Sequence, residues 1–227
     1  GKQFKVFLPQ NDIGKELPSN YISALFFDQQ KNMLWVGTLL GTCMYNPLKD
    51  SLSALSEFFP FAARLENTPV KKIISFKANE YWFITYNHGL MLLNTSARTL
   101  SSFFDDEANK HRVNSIVEHN GKLIAGLLED LFYLIPDGRN YKTKPLLPGH
   151  PFTEIRELYS YRGSLWIGTL TSGCFYLDEP PGKEAAVHPF KIKAGGIGCF
   201  MTDAAGKLWI GTRGDGIIVY DPVSGMA

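Results

Sequence analysis

Side chains able to do acid–base, nucleophilic or metal chemistry are thinly spread along this chain. Five histidines and three cysteines are present, and none stands at the short spacings that hold a metal ion. No nucleophile motif and no glycine-rich phosphate loop occurs either. What stands out instead is three small groups of residues suited to holding a ligand: Tyr86, Asn87 and His88; Arg112 and Glu129; Arg213 and Asp215. An aromatic ring, an amide and a few charges hydrogen-bond and stack on a polar small molecule such as a sugar. The pattern is one of reception, with no catalytic residue, cofactor or metal assigned.

A repeat positions these groups. The run Leu-Trp-Ile-Gly-Thr occurs at Leu165 to Thr169 and again at Leu208 to Thr212, with Leu-Trp-Val-Gly-Thr at Leu34 to Thr38. Aligning on Trp35, Trp82, Ile124, Trp166 and Trp209 gives steps of 47, 42, 42 and 43 residues. A period of roughly 40 to 45 residues is that of a four-stranded propeller blade. The expected fold is therefore all-β: one β-propeller segment over residues 1–227, built of five four-stranded blade repeats, and a segment of a larger propeller array. The blades are expected at about 20–60, 68–106, 112–148, 153–192 and 196–221.

Within each repeat the two-residue alternation of half-buried strands can be followed. A first strand (Ile22 to Asp28, Val70 to Ala78, Val113 to His119, Ile155 to Tyr161, Ile197 to Asp203) leads through a Gly/Asn/Lys turn into the tryptophan strand. A third strand follows, with Tyr45, Tyr176 and Tyr220 near the same place. A more polar fourth strand closes the first four repeats, ending at Phe58, Asp105, Leu147 and Ile192. The fifth lacks one, and Phe4 to Leu8 is its candidate.

Most motif residues read as architecture. Trp35, Trp82, Trp166 and Trp209 recur at the blade period and are expected between sheets. The adjacent glycine permits close approach of a neighbouring strand, and the threonine suits a pleated surface. Asp28, Asp203 and Asp221 are expected to cap their own turns. Ligand contacts should come from residues that break the pattern, in the loops joining second to third strands and those leading into each first strand. By analogy with other propellers these loops gather at one mouth. They supply Leu39, Leu40, Tyr86, Asn87, His88, Leu128, Glu129, Thr171, Ser172, Arg213 and Asp215, joined by Ser19, Asn20, Asn67, His111, Arg112, Thr153 and Glu154.

Composition narrows the partners. Lys plus Arg is 23 against 22 for Asp plus Glu, so no field draws in nucleic acid or an anionic membrane. No apolar run reaches the roughly 18 residues of a membrane span. Cys43 and Cys174 hold equivalent places in different blades and, like Cys199 on the first strand of the last, read as small buried hydrophobes, with a Cys174–Cys199 bridge as an alternative. Phe58-Phe59-Pro60-Phe61 and Phe103-Phe104 are either contact points for a partner or core contacts between blades.

The run Leu17 to Asp28, then Leu34 to Thr38, Gly41 and Tyr45-Asn46, resembles the two-component regulator propeller repeat. Phe200 to Thr212, continuing through Gly214 to Asp221, is similar to it as well. The resemblance is weaker where Tyr81-Trp-Phe-Ile-Thr85 and Leu123-Ile-Ala-Gly-Leu127 replace the motif. It implies the periplasmic sensor region of a hybrid two-component system whose parent chain carries a membrane helix and a histidine kinase. It also implies an oligosaccharide signal and a homodimer formed through the parent sensor, with no direct membrane contact by this part. Rival readings are a propeller enzyme of the lyase or glycosidase type and a protein-interaction scaffold. The streptogramin lyases resemble the chain in their tryptophan-led repeats, with only His88 and His111 on the expected face. Thr202 to Trp209 resembles the Asp-box turn of sialidases, whose arginine cluster Arg112, Arg156 and Arg213 do not clearly assemble.

Overall fold

The computed structural model describes residues 5–9, 17–109, 112–147, 149–150, 152–178, 185–192 and 194–225. Two compact units divide the chain, Gly1–His111 and Arg112–Ala227. The first holds two antiparallel sheets in chain order, β1 (Ile22–Asp28), β2 (Met33–Thr38), β3 (Thr42–Asn46) and β4 (Ser51–Ala54), then β5 (Val70–Lys77), β6 (Glu80–Thr85), β7 (Leu90–Asn94) and β8 (Thr99–Phe103). The second holds three: β9 (Ser115–His119) to β12 (Asn140–Leu146) by way of β10 (Lys122–Gly126) and β11 (Leu131–Asp137); β13 (Ile155–Tyr161), β14 (Ser164–Thr169), β15 (Cys174–Asp178) and β16 (Ala186–Phe190); and β17 (Ile197–Thr202), β18 (Leu208–Thr212) and β19 (Ile217–Tyr220). The chain is thus all-β, with five successive β-propeller blades.

Side-chain alternation explains why the sheets stack. In β14, Leu165 and Ile167 turn to one side and join the cluster around Ile124, Phe152, Ile155 and Leu158. Trp166 turns to the other and joins Ile197, Phe200, Leu208 and Ile210 of the next blade. Trp35 does the same in the first unit, fully buried with Ile73, Tyr81, Phe83 and Leu93. The motif glycine lets these faces meet: a Cβ on Gly168 would lie 2.7 Å from Ile197 Cγ2, and one on Gly37 would lie 3.1 Å from both Ala24 Cβ and Val70 Cγ1. Trp209 differs from the expectation of burial, being half-buried on the last sheet.

Several expectations are corrected. The fifth sheet has three strands among the described residues. Residues 5–8 form no strand, and Phe4 lies outside the described residues. Lys5 instead pairs with Asp50 at 2.6 Å and Phe7 meets Tyr45 edge-on at 5.4 Å. Three of the fourth strands, β4, β8 and β16, end two or more residues earlier than expected: β4 stops at Ala54, and the Phe-Phe-Pro-Phe run falls between and into two 3₁₀ segments, Leu55–Glu57 and Pro60–Asn67. Phe59 stacks on Trp35 at 5.7 Å and 6°, so its aromatic mass serves the core. The three tyrosines are not equivalent. Tyr45 faces Leu34 and Tyr220 faces Leu208 across their ladders, whereas Tyr176 faces Trp166. A one-residue offset puts Tyr176 on the opposite face of its sheet. All three cysteines are free, and Cys199 is exposed where the sequence reads as burying it.

The threonine of the motif does more than suit a pleat. Thr38, Thr85, Thr169 and Thr212 each donate through Oγ1 to the carbonyl of Gly41, Gly89, Gly173 and Gly216, at 2.9, 3.0, 2.8 and 2.7 Å. Their own backbone N–H groups reach the same carbonyls. In three blades the hydroxyl also accepts a backbone N–H from inside the turn, from Gly41, His88 or Asp215. Each threonine thus fixes the turn that carries a candidate ligand-contact group. In the third blade Leu127 takes this place, and only its backbone bond to Asp130 remains.

Candidate ligand-contact loops

In four blades the residue after that threonine, or after Thr38 in the first, donates its backbone N–H to the loop leading into the first strand of the same blade. Leu39 bonds Tyr21, Tyr86 bonds Pro69, Leu170 bonds Glu154 and Arg213 bonds Gly196, at 2.8 to 3.3 Å. The two loop classes singled out from the sequence therefore meet blade by blade. A second device sits one residue into the first strand, where β1, β5, β13 and β17 are irregular in register. The extra residues there are Ser23, Lys71, Arg156 and Gly198. Ser23 Oγ donates to Val70 O of the following blade, and Asn114 in the third blade donates to Ile155 O at 2.8 Å.

In the first unit, the turn between β6 and β7 carries Tyr86, Asn87 and His88. Tyr86 is exposed, with Lys71 Nζ 5.4 Å from its ring centroid. Asn87 Oδ1 is buried and has no hydrogen-bond partner among the described residues. His88 is held by two residues that the sequence reading passed over. Its Nδ1 lies 3.0 Å from Asp105 Oδ1 and 2.7 Å from Arg64 Nη2, which itself donates to Asp105 Oδ2 at 3.0 Å. One imidazole nitrogen either donates to the carboxylate or accepts from the guanidinium, so the proton on His88 decides which contact holds. Arg64 comes from the 3₁₀ segment and Asp105 from beyond β8, each more than a dozen residues from His88. No local spacing signal announces either.

In the second unit Arg112 pairs with Glu129, leaving Arg112 Nε buried without a hydrogen-bond partner among the described residues. Arg156 Nε, at the irregular position of β13, is in the same condition. Thr171 donates to Glu154 Oε2 at 2.7 Å, and Thr153 lies 3.3 Å from Ser172, Oγ1 to Oγ. Arg213 is exposed, and Asp215 Oδ2 accepts the Gly195 N–H at 3.1 Å. The expected set therefore resolves into Tyr86, Asn87 and His88 in one unit, and Arg112 with Glu129, and Arg213 with Asp215, in the other. His111 lies outside the described residues. Among the described residues no group of three His, Cys, Asp or Glu is placed to hold a metal ion, and no helix is long and apolar enough to cross a membrane.

The expected caps are formed. Asp28 Oδ1 accepts from Gln30 and Lys31 N–H, Asp203 Oδ1 from Lys207 and Asp221 Oδ1 from Val223. Hydrogen bonds and a nearby lysine hold Asp203 and Asp221 below the usual carboxylate range, the Trp209 indole being the chief cause for Asp203 and the Val223 N–H for Asp221.

Comparison with known proteins places this geometry. The extracellular domains of two putative hybrid two component systems from B. thetaiotaomicron are similar in structure. Each is 17% identical, with TM-scores of 0.71 and 0.68 over 95% and 97% of this chain. The chain spans 28% of the length of each of those domains. A streptogramin B lyase shares the fold at 12% identity and a TM-score of 0.63, over 93% of this chain and 72% of the lyase. No curated protein matches the sequence. The family model described as two component regulator propeller matches residues 16–39, which run through β1 and β2. The chain therefore carries the two component regulator propeller repeat, at residues 16–39.

Proposed function

We propose that this chain is a non-catalytic, ligand-receiving segment of a hybrid two-component regulator, working in the periplasm, with an oligosaccharide as its signal. The observation that carries the reading is the regulator repeat at residues 16–39, on a fold shared with extracellular domains of such systems. The Tyr86–Asn87–His88 turn supports a polyhydroxylated ligand. It offers an exposed ring beside Lys71 and an imidazole already oriented by Arg64 and Asp105, and between them the buried Asn87 amide oxygen has no hydrogen-bond partner among the described residues. Likeness to the streptogramin B lyase concerns fold alone. The parent would carry the histidine kinase and form the homodimer, while nucleic acid and membrane contact play no part here.

Such a segment acts only by binding its ligand better in one arrangement of the receptor than in another. Titrating the chain with a panel of oligosaccharides by calorimetry tests this. One sugar class should bind, with affinity lost in Asn87→Ala and Tyr86→Ala. Absence of binding across the panel, or turnover of any member, would overturn the reading.

A further inference from the structure

At two positions the interface between the fourth and fifth blades carries tyrosine where its counterpart between the first and second, also built on aromatic rings, carries methionine and leucine. Tyr176 stands in register with the position of Met44, both opposite the motif tryptophan, and Tyr220 with that of Leu93, both opposite the residue before it. Around Trp166 gather Phe190 at 4.8 Å, Tyr176 and Tyr220 at 5.7 Å and Tyr161 at 6.0 Å, centroid to centroid. These five rings line an open notch of about 230 Å³ together with Arg162, Ser164 and Pro222. Tyr176, Phe190 and Tyr220 are only half-buried. Cavities for whole drug-sized molecules begin at roughly 300 Å³, so the notch suits a head group.

The counterpart interface shows what chemistry fits there. Lys31, four residues before Trp35, folds inward: its ammonium lies 4.8 Å from the Tyr81 ring centroid and 5.8 Å from that of Phe59, and donates to Tyr81 Oη at 2.7 Å. The residue four before Trp166 is Arg162, and it reaches Tyr161 alone, its guanidinium carbon 5.8 Å from that ring's centroid. It is exposed, with Nη2 3.4 Å from where a Cβ on Gly206 would lie. Among the described residues no cation lies over the other four rings, Trp166, Tyr176, Phe190 and Tyr220. Carboxylates flank it: Asp178 accepts from Ser164 of the lining, and Asp221 directly precedes Pro222. Ring faces carry negative potential and attract cations that shed their water easily.

We propose that this notch is a binding site for an organic cation, an alkylammonium or quaternary ammonium head group. The site stands apart from the ligand-contact loops and does not depend on the sensor reading. Arg162 lines it, and Lys207, paired with Asp221 at 3.2 Å, stands beside its Asp221-Pro222 edge. Arg162 thus opposes the ligand, and its removal should strengthen binding.

Titration with choline, followed by proton NMR of its N-methyl signal, tests the proposal. The signal should move upfield as the methyls enter the shielding faces of the rings, and the neutral isostere 3,3-dimethyl-1-butanol should bind at least about tenfold more weakly. Tyr176→Leu and Tyr220→Leu keep apolar bulk, and each should weaken choline binding by about tenfold while the far-ultraviolet circular dichroism stays unchanged. Arg162→Ala should strengthen it. Equal binding of the neutral isostere would make the notch merely apolar. No shift with choline, or a shift preserved in a folded Tyr176→Leu/Tyr220→Leu double variant, would likewise overturn the assignment.

Discussion

Trp209 Nε1–H donates to Asp203 Oδ2 at 2.8 Å, closing the turn from β17 to β18 while the other carboxylate oxygen accepts the Lys207 N–H at 2.9 Å. Both bonds favour the ionised carboxylate, the indole most, and hold Asp203 below its ordinary value of 3.8. A group whose folded value is depressed contributes stability above its unfolded value and loses it as pH falls through the folded one. The turn should therefore hold at neutral pH and loosen only under acid, at a pH below 3.8. The Trp209 indole proton, followed by NMR, should move in that window. In Asp203→Asn the same change should already be present at pH 7.

The threonine clamp predicts a difference between blades. Thr169 is fully buried and its hydroxyl donates to Gly173 O at 2.8 Å. Thr169→Val removes that donor while keeping the shape, and should cost about 1 to 3 kcal/mol. Leu127 makes no such bond and is buried at 1% exposure, so Leu127→Thr, which buries an added hydroxyl at the expense of apolar contact, should not stabilise its blade unless the hydroxyl reaches the Asp130 carbonyl as Thr169 reaches that of Gly173. Urea midpoints of the two variants against the parent chain test both.

Gly168→Ala tests how closely blades approach. The added carbon would lie 2.7 Å from Ile197 Cγ2 and 2.9 Å from Ile197 Cβ, which overpacks the interface by about 1 to 3 kcal/mol. Because the clash has a single principal partner, Ile197→Ala made in the same chain should cost less than its effect in the unaltered one. A double-mutant cycle with additive losses would show that the glycine serves some other purpose.

Much of this architecture was legible beforehand because it is periodic. Trp35, Trp166 and the glycines two residues after them recur with the blade, which puts a bulky ring and a residue with no side chain on one face of the strand, as close packing of sheets requires. The bounds expected for β1 and β13 are those observed, even though each strand carries a register irregularity near its start. The failures sit where periodicity ends. Phe59 lies in an insertion after β4, so no repeat could say that it stacks on Trp35. Tyr176 looks equivalent to Tyr45, yet an offset of one residue sends it to the other face, a distinction that only the ladder register makes. Arg64 and Asp105 meet His88 through tertiary folding alone. A sequence can nominate His88 as a pattern breaker, but not the partners that orient it.

Cysteine reactivity separates the two kinds of position that the sequence assigned alike. Burial pushes the Cys43 and Cys174 thiols up to about 12, so at neutral pH both are protonated and shielded from solvent. Cys199 is exposed on the last sheet. Since the thiolate is the reactive form, a water-soluble disulfide reagent at pH 8 should titrate one thiol in the folded protein and all three after denaturation. The single labelled site should map to Cys199. Trp209 stands on the same sheet in the neighbouring strand, where Met201 faces it across the ladder, so a fluorophore on Cys199 should report loosening of the Asp203 turn in acid. Labelling of a second thiol at a comparable rate would mean that the cores around Cys43 or Cys174 open far more readily than their packing allows.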